Sequence, residues 1–154
     1  MGLVCSWLEL ENQLAPFRGK KKIVFTNGCF DWLHVGHVRY LQEAQALGDL
    51  LVVGVNTDES VRKLKGSTRP VQNEADRAEI LAALSCVNFS VLFSQDTPYE
   101  LIRVVRPDIL VKGGDWRPEQ IVGSDIVQSY GGKVLSLQFV EGKSTTSLIN
   151  KAKT

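Results

Sequence analysis

The chain has 154 residues, 44% of them hydrophobic and 23% charged, with a formal net charge of +1. That length suits one domain with one sizeable core. The near-neutral balance removes any whole-chain argument for a nucleic-acid or membrane partner.

From the N-terminus, residues 1–10 carry Glu9 and no basic stretch ahead of an apolar one, so no signal peptide is read. No apolar run approaches the roughly 20 residues of a membrane span. Cys5, Cys29 and Cys86 are odd in number and form no CxxC pair, which is neither a disulfide framework nor a zinc ribbon. They fit a reducing compartment, and the expected location is cytoplasmic. A helix is expected over residues 7–14, packed outside the main sheet, so that residues 1–20 form a helical extension to a domain spanning 21–154. The basic run Arg18, Lys20, Lys21 and Lys22 reads as a solvated face.

Apolar runs of strand length then alternate with helical patterns. Strands are expected over 22–26, 50–55, 87–93, 109–112 and 133–137. Helices are expected over 38–47, 59–64, 74–84, 99–105, 118–128 and 146–152. The runs Leu50-Leu51-Val52-Val53 and Ile109-Leu110-Val111 are continuous rather than alternating, as in strands buried on both faces of a parallel sheet. Breakers fall where the scheme needs them: Gly48-Asp49 after the first of these helices, Pro107 after Val105, and Gly131-Gly132 before the last strand. Residues 63–70, polar, basic and turn-rich, read as a mobile loop. The alternation predicts a doubly wound α/β single domain with a five-stranded parallel sheet.

Ligands in such a sheet sit beyond the carboxyl ends of the strands. The richest of these ends is Thr26-Asn27-Gly28-Cys29-Phe30-Asp31-Trp32-Leu33-His34-Val35-Gly36-His37, which holds both histidines of the chain. A strand, a glycine-bearing turn and a helix start present backbone N–H groups and a dipole to phosphate. His34 and His37 are three apart and share a helix face, and Gly36 allows close approach. Zinc is a weak rival, with only Cys29 nearby and no third histidine. Other strand ends contribute Asn56 and Asp58, then Gly113, Gly114 and Asp115, then Glu141 to Thr146. Asp115 suits a ribose hydroxyl, although Gly113-Gly114-Asp115 also reads as a plain tight turn. Ser144 or Thr145 is a natural helix N-cap whose hydroxyl and N–H groups could also hold phosphate. Gly142-Lys143-Ser144 evokes a P-loop ending, but its first glycine is missing because position 137 is Leu. Lys63, Lys65 and Arg69 in the loop, and Arg77 beyond it, read equally as solvated charge or as phosphate contacts.

Taken together, Asn27-Gly28-Cys29-Phe30-Asp31 with His34-Val35-Gly36-His37 resembles the signature of the HxGH nucleotidyltransferases. Val111-Lys112-Gly113-Gly114-Asp115 and Val140-Glu141-Gly142-Lys143-Ser144-Thr145-Thr146 resemble two further blocks of that family. With Gly54-Val55-Asn56 and Glu74-Ala75-Asp76-Arg77, the chain is most similar to heptose 1-phosphate adenylyltransferase domains, which make ADP-heptose for lipopolysaccharide precursors. The resemblance covers about residues 20–153. It implies a Rossmann-like fold, ATP and a sugar 1-phosphate as substrates, Mg²⁺ accompanying ATP, and no dedicated protein metal site.

The resemblance assigns His34, His37 and Lys65 to catalysis. It places Asn27, Gly28, Cys29, Phe30, Gly36, Lys112, Gly114, Asp115, Gly123, Ser144, Thr145 and Thr146 around the nucleotide. Asp31, Asn56, Arg69 and Arg77 fall to the sugar phosphate. Such domains are often fused to a sugar kinase, so a separate kinase is expected in the pathway, and a homodimer is expected at the family level. The related glycerol-phosphate cytidylyltransferases carry an arginine before the Glu-Gly block, where this chain has Phe139-Val140. The alternatives are a cytidylyltransferase acting on an alditol or glycerol phosphate, and a nucleotide-binding module without turnover.

Overall fold

A strand that is apolar on both faces must be covered on both faces, and alternate residues then serve different cores. The computed structural model, which describes residues 2–138 and 144–153, shows this partition. Phe25, Val52 and Leu110 join one core with Leu10, Leu14, Leu101, Ile102 and Val127. Their chain neighbours Val24, Leu51, Val53 and Val111 join the opposite core with Tyr40, Leu41 and Leu81.

The strands are β1 (Leu3–Cys5), β2 (Ile23–Gly28), β3 (Leu50–Asn56), β4 (Phe89–Phe93), β5 (Ile109–Gly113) and β6 (Lys133–Leu137). They form one sheet in the order β1-β4-β3-β2-β5-β6, and every pairing is parallel. The helices are α1 (Trp7–Leu14), α2 (Val35–Ala46), α3 (Asp58–Lys65), α4 (Glu74–Ala83), α5 (Tyr99–Val105), α6 (Ser124–Ser129) and α7 (Thr145–Lys153). Among the described residues no helix is long and apolar enough to cross a membrane.

The chain winds outward from β2 through β3 to β4, then returns through α5 to place β5 on the other side of β2. Strand order therefore reverses between β2 and β5. The crevice beyond their carboxyl ends is the position such a sheet offers a ligand.

Three local features correct the sequence expectations. The sheet has six strands rather than five, because Leu3–Cys5 pairs with β4 at the edge. Three residues are too few to carry a periodic signal. The helix expected over 118–128 is two pieces, a 3₁₀ turn (Pro118–Gln120) and α6, separated by Gly123 at φ 90°. A Cβ on Gly123 would come within 2.6 Å of Ile102 Cδ1, so both conformation and space require glycine there. Finally, α2 starts at Val35 rather than at residue 38, because His34 caps it.

Candidate active site

The turn from β2 into α2 is built around a buried carboxylate. Phe30 (φ 49°) and Trp32 (φ 53°) are both left-handed and flank Asp31. Each such residue costs roughly 1–3 kcal/mol and persists only where its surroundings hold it. Here the hold comes from Asp31, which is 2% exposed. Its Oδ2 accepts from Arg69 Nε at 2.9 Å and from the Val71 N–H at 2.8 Å, and its Oδ1 accepts from the Gln72 N–H at 3.0 Å. Burial pushes the carboxyl pKa up, but the Gln72, Val71 and Arg69 hydrogen bonds outweigh it and leave the group below its ordinary value. Gln72 Oε1 accepts from the Trp32 N–H at 2.9 Å, so the turn and the α3–α4 loop are joined in both directions.

The two histidines occupy the cap of α2. His34 Nδ1 accepts from the Gly36 N–H at 3.0 Å, and His37 Nδ1 accepts from the His34 N–H at 3.2 Å. This is a reciprocal capping box with imidazoles in place of the usual hydroxyl and carboxylate. Its chemical consequence is tautomeric. With both Nδ1 atoms accepting, the proton of each neutral ring sits on Nε2. The rings stack with centroids 3.9 Å apart and planes at 27°. Burial, then the neighbouring His34 and Lys65, pull the His37 pKa down to about 4. His37 is therefore neutral at pH 7 and presents an Nε2–H donor rather than a cation.

His37 faces a cavity of about 190 Å³ at the β2/β5 switch point, whereas His34, stacked on it, is not among the residues that line it. Asn27, Gly28, Cys29, Phe30 and Asp31 line it from the β2 side, and Lys112 and Gly113 from β5. His37 and Tyr40 of α2, Lys65 at the end of α3 and Thr145 at the start of α7 complete the wall. Phe30 packs edge-on to His37 at 5.6 Å. Burial pulls the Lys112 pKa down, and its ammonium lies 5.3 Å from the Trp116 ring centroid. Burial pushes the Cys29 thiol up, against Lys65, Arg77 and Arg69, so it stays protonated near neutral pH and is a poor nucleophile.

The last helix reaches the same turn. Thr145 Oγ1 donates to the Asp31 carbonyl at 2.6 Å, and Ser144 Oγ accepts from the Ser147 N–H at 3.0 Å as the cap of α7. Two helix N-termini, those of α2 and α7, thus meet at one crevice. Thr146 is exposed on the first turn of α7, and Gly36 is buried on the first turn of α2. Glu141, Gly142 and Lys143 of the same sequence block lie outside the described residues.

Other expected contacts are placed differently. The Arg77 side chain is wholly buried and donates to the carbonyls of Gln72 (3.0 Å), Cys29 (2.7 Å) and Asn56 (2.8 Å) and to Asp58 Oδ1 (2.8 Å). Such a guanidinium braces three segments and has no face turned to a ligand. Asn56 is also buried, with its Nδ2 donating to Ser60 Oγ at 3.1 Å. Lys63 faces Glu59 at 3.8 Å, whereas Lys65 lines the cavity. Gly114 closes the turn after β5 by donating to the Leu137 carbonyl at 2.9 Å, leaving Asp115 exposed at its tip. Gly123 is buried against Ile102.

Sequence reasoning passed over Tyr40 and Gln72. Tyr40 lies three residues beyond His37 on the same helix face, a spacing that could have found it. Its hydroxyl is 2.6 Å from Thr26 Oγ1, and burial pushes its pKa up to about 12. Among the described residues no group of three or more His, Cys, Asp or Glu side chains could hold a metal ion.

Comparison with known proteins gives the same picture. A family model described as cytidylyltransferase-like matches residues 25–148. The chain is 61% identical over 134 residues to the bifunctional protein HldE of Geotalea uraniireducens (strain Rf4), covering 87% of this chain and 27% of that one. It is 52% identical over 149 residues to HldE of Magnetococcus marinus (strain MC-1), covering 96% of this chain and 31% of the relative. The chain thus spans about a quarter to a third of the length of these relatives. Among solved structures, a lipopolysaccharide core biosynthesis protein from Thermoplasma volcanium GSS1 superposes with a TM-score of 0.65 at 27% identity, over 80% of this chain and 99% of that one. A pantoate-beta-alanine ligase from Francisella tularensis shares the fold, with a TM-score of 0.61 at 14% identity over 99% of this chain and 77% of that one.

Proposed function

The chain belongs to the cytidylyltransferase-like family, and from that premise we propose that it is an adenylyltransferase joining ATP to a sugar 1-phosphate, with heptose 1-phosphate as the acceptor. The observation that carries this reading is His37, its proton fixed on Nε2, on the wall of the switch-point cavity at a helix N-terminus, with the His34 ring stacked against it. A neutral donor at that place suits a charge that develops on phosphate oxygens. The high identity to HldE proteins supports the choice of sugar, as does the T. volcanium relative whose description places it in lipopolysaccharide core biosynthesis.

In this reaction an oxygen of the sugar 1-phosphate attacks the α-phosphorus of ATP in line. A new phosphorus–oxygen bond forms, the bond from the α-phosphorus to the bridging oxygen breaks, and pyrophosphate leaves with the electron pair. The nucleophile is already an anion, so no general base is required, and the protein positions the reactants and stabilises charge. His34 and His37 donate to the reacting phosphate. The α7 N-terminus, with Ser144, Thr145 and Thr146, faces the outer phosphates. Lys65 adds a mobile positive charge from the α3–α4 side, and Lys112 adds one from β5. The backbone around Asn27–Phe30 and Gly114, with Asp115 on the ribose and Gly123 behind, forms the nucleoside side. Mg²⁺ would accompany ATP as part of that substrate, which suits a site in which, among the described residues, the buried carboxylate of Asp31 is taken up by three protein donors. The activity is assigned to the bacterial cytoplasm. There a kinase acting on the sugar supplies the acceptor, and a second copy of the chain is its expected partner.

The test is pyrophosphate release from ATP, CTP and GTP with heptose 1-phosphate and with glycerol phosphate. Release with ATP and the heptose phosphate supports the reading. Release only with CTP and glycerol phosphate replaces it with the cytidylyltransferase reading. Nucleotide binding with no release for any acceptor overturns catalysis altogether.

A further inference from the structure

Asp31 stands in the sequence where a substrate contact is expected, yet its buried carboxylate is held by protein donors. It is 2% exposed, and three donors hold its two oxygens: Arg69 Nε, Val71 N–H and Gln72 N–H. One of those donors is itself incomplete. Arg69 Nη2 is buried and has no hydrogen-bond partner among the described residues. The neighbouring buried guanidinium makes the contrast. Arg77 bonds through Nε, Nη1 and Nη2 to four protein oxygens. A buried cationic donor without an acceptor is costly, and each such group in a folded protein calls for an explanation.

We propose that Asp31 is a positioning residue that acts on the acceptor phosphate through Arg69. The carboxylate grips Nε and the Val71 and Gln72 N–H groups, fixes the plane of the guanidinium, and leaves Nη2 without a protein acceptor, as the donor that a phosphate entering beside Asp31 would take up. A guanidinium held by one edge on a carboxylate presents its other edge to an oxyanion in a defined direction, which a lysine cannot do. The same grip fastens the loop over residues 66–72 to the turn that carries His34 and His37. The proposal rests on the transferase reading above in taking the anion to be the acceptor's own phosphate.

The test is a double-mutant cycle on steady-state pyrophosphate release, using Asp31→Asn, Arg69→Met and both together, with ATP and heptose 1-phosphate varied in turn. Each single variant is expected to raise the acceptor KM about tenfold, as for loss of a hydrogen bond to a charged group, while the ATP KM stays within about threefold. The double variant is expected to be no worse than Arg69→Met. Costs that multiply would show that Asp31 acts on substrate by itself and would overturn the proposal. A loss of activity that merely follows the folded fraction, with both KM values unchanged, would also overturn it. Arg69→Met alone keeps the question decidable if Asp31→Asn does not fold, because an unchanged acceptor KM in that variant refutes the role of Nη2. If the unmodified chain releases no pyrophosphate, the transferase reading fails on its own account. Limited proteolysis then reads the grip directly: faster cleavage within 66–72 in Asp31→Asn supports it, and unchanged cleavage overturns it.

Discussion

At the scale of single residues, His37 ties stability to pH. Its pKa is about 4 in the folded chain, against an ordinary value near 6.5. Between these values the unfolded chain binds a proton that the folded chain refuses, so stability rises with pH across that window and is lost as pH falls from 6.5 toward 4. The whole effect is at most about 3 kcal/mol. Urea unfolding at pH 7 and pH 4.5 should show a smaller acid loss for His37→Asn than for the unmodified chain. In turnover, His34→Ala and His37→Ala should each lower pyrophosphate release by about 10²–10³-fold at pH 7.5, the usual effect of removing one transition-state donor. Circular dichroism should show the fold retained. The histidines were legible in the sequence because residue type and spacing carry them. The work of Asp31 was not, since its partners Arg69, Val71 and Gln72 lie 38 to 41 residues away and only the folded loop brings them in.

At the scale of elements, the caps decide where the site sits. Thr145 ties α7 to the Asp31 carbonyl. Thr145→Val removes the hydroxyl, leaves that buried carbonyl short of its donor and should cost about 1–3 kcal/mol by denaturant unfolding. Nucleotide affinity should fall as α7 loosens. Gly123→Ala meets two penalties at once, a left-handed φ of 90° and a Cβ 2.6 Å from Ile102. Together they should cost roughly 2–4 kcal/mol, read as a lower melting temperature. The strong apolar periodicity made α1 and α5 legible to the residue. The start of α2 was missed because histidine is not an ordinary N-cap, and β1 was missed because so short a strand has no pattern to read.

At the scale of the whole molecule, strand alternation was enough to foretell a parallel doubly wound sheet and the edge at which the polar residues gather. It could not foretell that Arg77 turns inward. That guanidinium holds the end of β3, the turn after β2 and the approach to α4 in one buried cluster. Arg77→Met should therefore act as a global lesion. A loss of about 3–5 kcal/mol is expected by urea unfolding, because Asp58 and three carbonyls lose their shared donor. Arg77→Lys should rescue little of it, since an ammonium cannot reach four acceptors in a fork.

The hydroxyl bond from Thr145 to Asp31 also has a temporal meaning. It spans 114 residues of sequence, so the first turn of the crevice waits for α7, the last of the described helices. β2 and α2 are made before the rest of this sheet except β1, but the two helix ends face each other only after β3 to β6 have been wound between them. Closing so distant a contact is slow relative to local structure. Partly made chains can carry both histidines in place and still lack the α7 N-terminus opposite them. The crevice is therefore complete only when the domain is.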